Sequence, residues 1–234
     1  MFLGTRATQA EYCDRPDLPA AELADSHRQL TRFNRLMRVA DPFQRLLVRW
    51  LGRDRVRELS LLDLGAGDGA LAQDLEAWAR RQAWDWKVTS LDLNPRALRL
   101  GRGPRRVAGD VCALPFRSAA FDVVISSQMA HHLTEDQAVQ HFREAWRVTR
   151  DALFLTDAHR NAGALCVIWG VLHALRVTPT FLSDGLLSVR RGWRVGEWRT
   201  LARQAGIDGA RVWLYYGSRV MLQARKSTRV VPAP

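Results

Sequence analysis

The chain has 234 residues, enough for one domain with a full core, and its 47% of apolar residues excludes a disordered chain. Its net charge of +11 would suit nucleic acid or an anionic membrane surface. Yet 33 of the 35 basic residues are arginines scattered from Arg6 to Arg229, and the densest groups, such as Arg105-Arg106 and Arg190-Arg191, are only pairs. A solvated basic surface accounts for that spread, so nucleic acid is not the expected partner.

Residues 1–19 contain no sustained apolar segment, so no secretory leader is expected. They are polar, interrupted by prolines and expected to be loosely held. From Ala20 a basic amphipathic pattern starts, with Leu30, Phe33, Met37 and Ala40 at helical spacing. Asp41-Pro42 reads as an N-cap followed by proline at the first helical position, opening a second helix through Phe43, Leu46, Leu47 and Trp50. Residues 1–51 thus form a tail and a helical layer, either covering a sheet or acting as a lid over a substrate.

Beyond residue 52 the chain alternates. Leu59–Leu64 reads as a strand, Ala70–Arg81 as a helix with Leu71, Leu75 and Trp78 on one face, and Lys87–Leu93 as a strand. Pro95–Leu100 follows as a short helix, Arg106–Ala108 as a weak strand and Phe121–Ser126 as a strong one. Thr134–Val148 is a helix in which Thr134 and Gln137 have capping-box spacing, and Ala152–Thr156 is the next strand. The apolar stretch Ala162–Leu175 is too short to span a bilayer, which takes about 20 residues. After Ser183–Trp193, read as an ordered loop, comes a helix over Val195–Ala205 ended by Gly206. Arg211–Tyr215 and Arg219–Gln223 then flank Tyr216-Gly217-Ser218 as a hairpin. This alternation predicts an α/β protein with a Rossmann-like doubly wound sheet, mostly parallel, finished by a C-terminal antiparallel strand and preceded by the N-terminal helices. Cys13, Cys112 and Cys166 form neither a disulfide framework nor a zinc pattern, which fits a reducing, cytoplasmic compartment; no metal constellation is apparent.

The stretch "LLDLGAGDGALAQDL" places three glycines within five residues between a strand and a helix. Such a turn brings bare backbone to a ligand near a helix N-terminus. Gly65 to Ala70 can be read as a dinucleotide fingerprint, or with Asp63 as D-x-G-x-G-x-G. A diphosphate would be repelled by Asp63 and Asp68, whereas an amino-acid head group carrying an ammonium tolerates them. In "TSLDLNP", Asp92 closes the second strand 27 residues beyond Gly65, where a carboxylate accepts hydrogen bonds from a ribose diol. In "AGDVCALPF", Asp110 offers an acceptor for an exocyclic amine, and Leu114-Pro115-Phe116 an apolar slot for a purine.

With "LLDLGAGDG", "LDLNP", "AGDVCALPF" and "FDVVISSQMAHHL" in that order, the chain resembles the class I S-adenosylmethionine-dependent methyltransferases over about Ser60–Asp157, nearest to the small-molecule type that includes the ubiquinone and menaquinone biosynthetic enzymes. The resemblance implies S-adenosylmethionine as cofactor. It implies Asp63, Gly65, Ala66, Gly67 and Gly69 around the methionine part, Asp92 on the ribose and Leu93 beside the adenine. It also implies Asp110 and Val111 at the adenine edge and Ser127 near the sulfonium. Residues 52–234 then form the catalytic domain, with a substrate-cap insertion at about 160–194.

Methyl transfer is a direct displacement in which the protein chiefly aligns the acceptor and excludes water. A hydroxyl acceptor benefits from a base, and His131, His132 and Asp157 are the candidate catalytic residues, the histidines as proton acceptors and Asp157 orienting one of them or touching substrate. The alternative for the histidine pair is a local structural feature. In the insertion, Leu165, Ile168, Trp169, Leu172 and His173 are expected either to wall an apolar pocket or to pack as core, with shallow membrane contact as a third possibility. His159 would face substrate or lie on a surface turn, and Arg190 or Arg191 would be brought towards the pocket or form a solvated basic turn. The expected function is methylation, on oxygen rather than carbon or nitrogen, of a small, largely apolar metabolite of phenolic, polyketide or quinone type. The rivals are an NAD(P)-binding reductase and a non-catalytic cofactor-binding subunit. A nucleic-acid methyltransferase is disfavoured because Ser126-Ser127-Gln128-Met129 stands where an Asn/Asp-Pro-Pro-aromatic segment would stack a flipped base.

Overall fold

In the computed structural model, which describes residues 3–52 and 56–226, the apolar runs Leu61-Leu62, Val123-Val124-Ile125 and Ala152-Leu153-Phe154-Leu155 bury the central strands of the sheet on both faces. The strands are β1 (Glu58–Leu64), β2 (Asp85–Asp92), β3 (Arg106–Ala108), β4 (Phe121–Ser127), β5 (Thr149–Ala158), β6 (Arg211–Tyr215) and β7 (Arg219–Arg225). They lie in the order β3-β2-β1-β4-β5-β7-β6. The first five pair in parallel, and β7 runs antiparallel to both β5 and β6, so one strand reverses direction as expected.

Leu62, Leu64, Val124, Leu153 and Leu155 enter one core with Phe142 of α5 (Glu135–Val148) and Trp198 of α8 (Val195–Gln204). Leu61, Val123, Ile125 and Phe154 enter the other with Phe43 and Leu47 of α2 (Asp41–Leu51) and Leu75 of α3 (Ala70–Arg81). Because the order turns back between β1 and β4, a crevice opens at the carboxyl ends of those strands. The short α4 (Pro95–Leu100) starts where the Asn94 side chain accepts from the Arg96 and Ala97 amides. α5 starts as its sequence predicts, with Thr134 as N-cap and a reciprocal bond from the Gln137 side chain.

A third apolar cluster joins Phe33 of α1 (Ala20–Leu36), Leu172 of α6 (Ala162–Ala174) and Phe181 of α7 (Pro179–Arg191), with Leu30, Met37, Ile168 and Val171 around it. This corrects the loop expected over Ser183–Trp193. Thr178 caps α7 by accepting from the Phe181 amide, Pro179 occupies its first turn, and Phe181 and Val189 are buried. Gly185 inside that helix lets it press on α6, for a Cβ there would lie 2.6 Å from Leu172 Cδ1. Asp41 is likewise corrected from N-cap to first helical residue, after a turn in which Arg38 has a φ of 52°. Of the first nineteen residues, expected to be loose, those described are tied down. From residue 3 onward they run as a strap, with Glu11 and Leu18 buried and Arg96 donating to the Pro16 and Leu18 carbonyls.

Candidate active site

The glycines of the β1–α3 turn are needed for two separate reasons. Gly65, Gly67 and Gly69 have φ values of 70°, 57° and 73°, a region costly for any residue with a Cβ. A Cβ on Gly65 would also lie 2.2 Å from Met129 Cγ, and one on Gly67 2.9 Å from His27 Cε1. The turn is held from beneath, since the Gly65 and Ala66 amides both donate to the Leu91 carbonyl. From above, α1 lies across it: Thr31 Oγ1 donates to Asp68 at 3.5 Å, and Asn34 accepts from Gln128 at 2.9 Å. His27, Thr31 and Asn34 escaped the sequence reading. The signal was there, as a polar stripe at i, i+4 and i+7 flanking the apolar Leu30, Phe33 and Met37.

Three carboxylates converge on this turn. Asp63 is buried at the end of β1, and its Oδ2 has no hydrogen-bond partner. Burial, then the charges of Asp92 and Asp68, push its pKa up to about 8. Asp92 ends β2 and accepts from the Gly67 amide at 2.7 Å and from the Asn94 amide at 2.8 Å, so it also braces the turn. Leu93 beside it is 72% exposed. Asp110 is exposed and accepts from the Cys112 amide, while Val111 points into the core. Ser127 Oγ and Thr156 Oγ1, on the strand faces that also carry Asp63, are buried without partners. Buried polar atoms are rarely orphaned, and a carboxylate raised this far wants a cation beside it. An ammonium-bearing amino-acid head group with nearby hydroxyl acceptors fits this donor and acceptor set; a pyrophosphate does not.

The histidine pair divides into two environments. His131 is buried, with Nδ1 at 2.6 Å from Asp157 Oδ1, its amide donating to Asp157 Oδ2 at 2.8 Å, and Nε2 at 3.4 Å from Glu11 Oε1. Burial works against its charge, but Asp157 and Glu11 outweigh that and push the imidazole up to about 10. Asp157 and Glu11 are correspondingly held below the usual carboxylate range by His131 despite their own burial. An imidazolium held between two carboxylates has no free nitrogen at neutral pH, so His131 does not suit the expected proton acceptor. Asp157 lies within β5 rather than after it and serves the same ion pair. His132 is different: its side chain is 29% exposed and its Nδ1 lies 2.9 Å from Asp14 Oδ2.

The remaining candidates scatter. His159 Nδ1 contacts the Asn161 amide nitrogen at 2.7 Å beside the start of α6, and burial first, then Arg194 and Arg160, lower its pKa. Trp169, 53% exposed, and His173, whose ring lies 4.1 Å from it, face outward. The inward face of α6 is taken by Leu172 and Ile168. Arg190 contributes its carbonyl to the Ala7 amide, whereas the buried Arg191 donates to the His131 and His132 carbonyls. A cavity of about 310 Å³ lies between residues 34–44 and α3.

This strand order, with β7 inserted antiparallel between β5 and β6, is the fold of the class I S-adenosylmethionine-dependent methyltransferases. Residues 62–154, from β1 into β5, match the family described as a methyltransferase domain. Over 95 residues the chain is 33% identical to a demethylmenaquinone methyltransferase from Roseiflexus sp. (strain RS-1), covering 38% of this chain and 37% of that protein. The chain therefore aligns with little more than a third of the length of that curated relative. Among solved structures it resembles human N-acetylserotonin methyltransferase in complex with SAM, with a TM-score of 0.57 at 16% identity over 94% of this chain and 64% of that one. It also resembles magnesium protoporphyrin IX methyltransferase from Synechocystis PCC 6803 with bound SAH, with a TM-score of 0.52 at 16% identity over 91% and 90%. Likeness at that identity speaks for the fold. Among the described residues no helix is long and apolar enough to cross a membrane.

Proposed function

We propose that the protein transfers a methyl group from S-adenosylmethionine to a hydroxyl of a small, largely apolar molecule of phenolic, polyketide or quinone type. One observation carries the cofactor: an acidic bend of bare backbone in which the Oδ2 of buried Asp63 lacks a partner and lies within reach of the charges of Asp92 and Asp68. Asp63 and the turn would receive the ammonium end, Asp92 the ribose, exposed Leu93 the adenine face, Asp110 and Val111 its edge, and the orphaned Ser127 hydroxyl the region of the sulfonium. When bound, S-adenosylmethionine supplies a methyl carbon that the acceptor oxygen attacks in line, the C–O bond forming as the C–S bond breaks with its electron pair left on sulfur. The chain's part is to hold the acceptor in line, to exclude water with α1, and to take the hydroxyl proton on a histidine.

The apolar cluster of α1, α6 and α7 beside the strand ends supports an apolar acceptor, as does the likeness to enzymes named for demethylmenaquinone. Residues 1–51 would serve as tail and lid, residues 52–234 as the catalytic domain with a helical cap at about 160–194; of these spans, residues 1–2, 53–55 and 227–234 lie outside the described residues. Shallow contact with a membrane surface would use the exposed Val167 and Trp169 of α6. Calorimetry checks the cofactor: saturable binding of S-adenosylmethionine and S-adenosylhomocysteine, with NAD and NADP ignored, is expected. Binding of the dinucleotides alone overturns the reading. Screening phenolic and quinol acceptors with labelled cofactor checks the substrate class, and turnover confined to peptides or RNA would reject it.

A further inference from the structure

His132 has one nitrogen engaged and one not. Its Nδ1 meets Asp14 Oδ2 at 2.9 Å, and among the described residues nothing bonds its Nε2. The Asp14 carboxylate is itself fixed. Its Oδ2 also accepts from Arg191 Nη1 and from the Glu11 amide, both at 3.4 Å. The 3₁₀ turn Tyr12–Asp14 that presents it is pinned to α7, where buried Asp184 accepts from the Tyr12 amide at 2.8 Å and the Cys13 amide at 3.0 Å. On the other side Arg6 donates to the His131 and Leu133 carbonyls at 2.6 and 2.7 Å, clamping the backbone that carries His132. A carboxylate on Nδ1–H sets the tautomer and leaves Nε2 as a bare acceptor.

We infer that Asp14, 118 residues away in sequence, is a positioning residue that holds His132 as the Nδ1–H tautomer so that Nε2 takes the proton of the acceptor hydroxyl. The inference rests on the methyltransferase reading and adds to it that the strap completes the site. The proton passes from the acceptor oxygen to Nε2, and the oxygen's electron pair goes to the methyl carbon. The charged groups around His132 are Asp14, Glu11, Asp157, His131, Arg191 and Arg6, three carboxylates against three cations when His131 is protonated. That balance leaves little demand for a metal ion, although Glu11, His131 and His132 bring donor atoms within 4.8 Å of one another.

Nitrogen-15 spectra of histidine-labelled protein test this without any acceptor, His132→Gln identifying the resonances. The neutral His132 ring of the wild type is expected to be protonated on Nδ1, to shift towards Nε2–H in Asp14→Ala, and to recover in Asp14→Glu. A wild-type ring already protonated on Nε2, or a tautomer unchanged in Asp14→Ala, overturns the inference. So does stoichiometric zinc moving the His131 and His132 signals together, which would make the cluster a metal site. With a phenolic acceptor from the screen, Asp14→Ala should lower kcat at least tenfold and leave the dissociation constant of S-adenosylmethionine within about twofold. Equal kcat overturns the positioning role. Calorimetry on the wild type keeps this separate from the cofactor reading, which fails only if S-adenosylmethionine does not bind.

Discussion

Asp63 is stable in its buried position mainly as the neutral acid. Its pKa, raised to about 8 in the folded chain, means that the native state holds its proton more tightly than the unfolded chain does. Between about pH 4 and pH 8 that makes stability fall as pH rises. Asp63→Asn should therefore gain about 1–3 kcal/mol over wild type at pH 8 without ligand, and lose affinity for S-adenosylmethionine. Urea titrations at pH 5 and pH 8 together with calorimetry check both halves; a pH slope identical to wild type would refute the first. Asp92→Ala removes a carboxylate that also braces Gly67, and should weaken cofactor binding by about 1–3 kcal/mol in the same calorimetry. The carboxylates of this site were legible in the sequence because strand ends place them. Which histidine keeps a free nitrogen was not, since Glu11 and Asp14 come from a segment with no periodic signal at all.

At the scale of elements, the glycine turn and the capped helix can be separated experimentally. Gly67→Ala combines a φ of 57° with a Cβ 2.9 Å from His27 Cε1, so the backbone is strained and either the turn or the His27 ring must move. It should cost about 1–2 kcal/mol of stability and weaken cofactor binding, whereas Thr134→Ala should cost about 1 kcal/mol at the start of α5 and leave cofactor affinity unchanged. Denaturation midpoints and calorimetry on the pair distinguish a ligand-facing turn from ordinary fold defects. Strands and capped helices were readable because their signals are local. α7 was read as a loop because Ser183, Gly185 and two arginines mask its period; Gly185 is explained only by Leu172 of the neighbouring α6.

Across the whole molecule, the strap joins chain segments more than a hundred residues apart through ions that titrate in opposite senses. His131, raised to about 10, adds stability that is complete below its unfolded pKa near 6.5 and fades as pH rises towards 10. Glu11 and Asp157, held low, add stability that is complete above about pH 4.5 and fades as pH falls below it. Their joint contribution is thus greatest between about pH 4.5 and 6.5. His131→Gln should flatten the alkaline loss of stability from pH 8 to 10, a range that Asp63→Asn leaves untouched. Asp157→Asn should cost about 3 kcal/mol by stranding a buried imidazolium. Urea midpoints measured from pH 5 to pH 10 check both, and a wild-type curve flat above pH 8 would contradict the ion-pair account.

The order of the strands and of the helices other than α7, the bare acidic turn and the carboxylates along one sheet edge were determined by the sequence alone, because periodicity, glycine and capping chemistry act between near neighbours. Only the tertiary structure decided that the N-terminal strap is tied down, that Trp169 and His173 face outward, and that His131 is spent in an ion pair while His132 keeps a nitrogen free. Those outcomes turn on contacts such as Glu11 with His131 and Asp14 with His132, whose partners meet only once the sheet has brought distant segments to one edge.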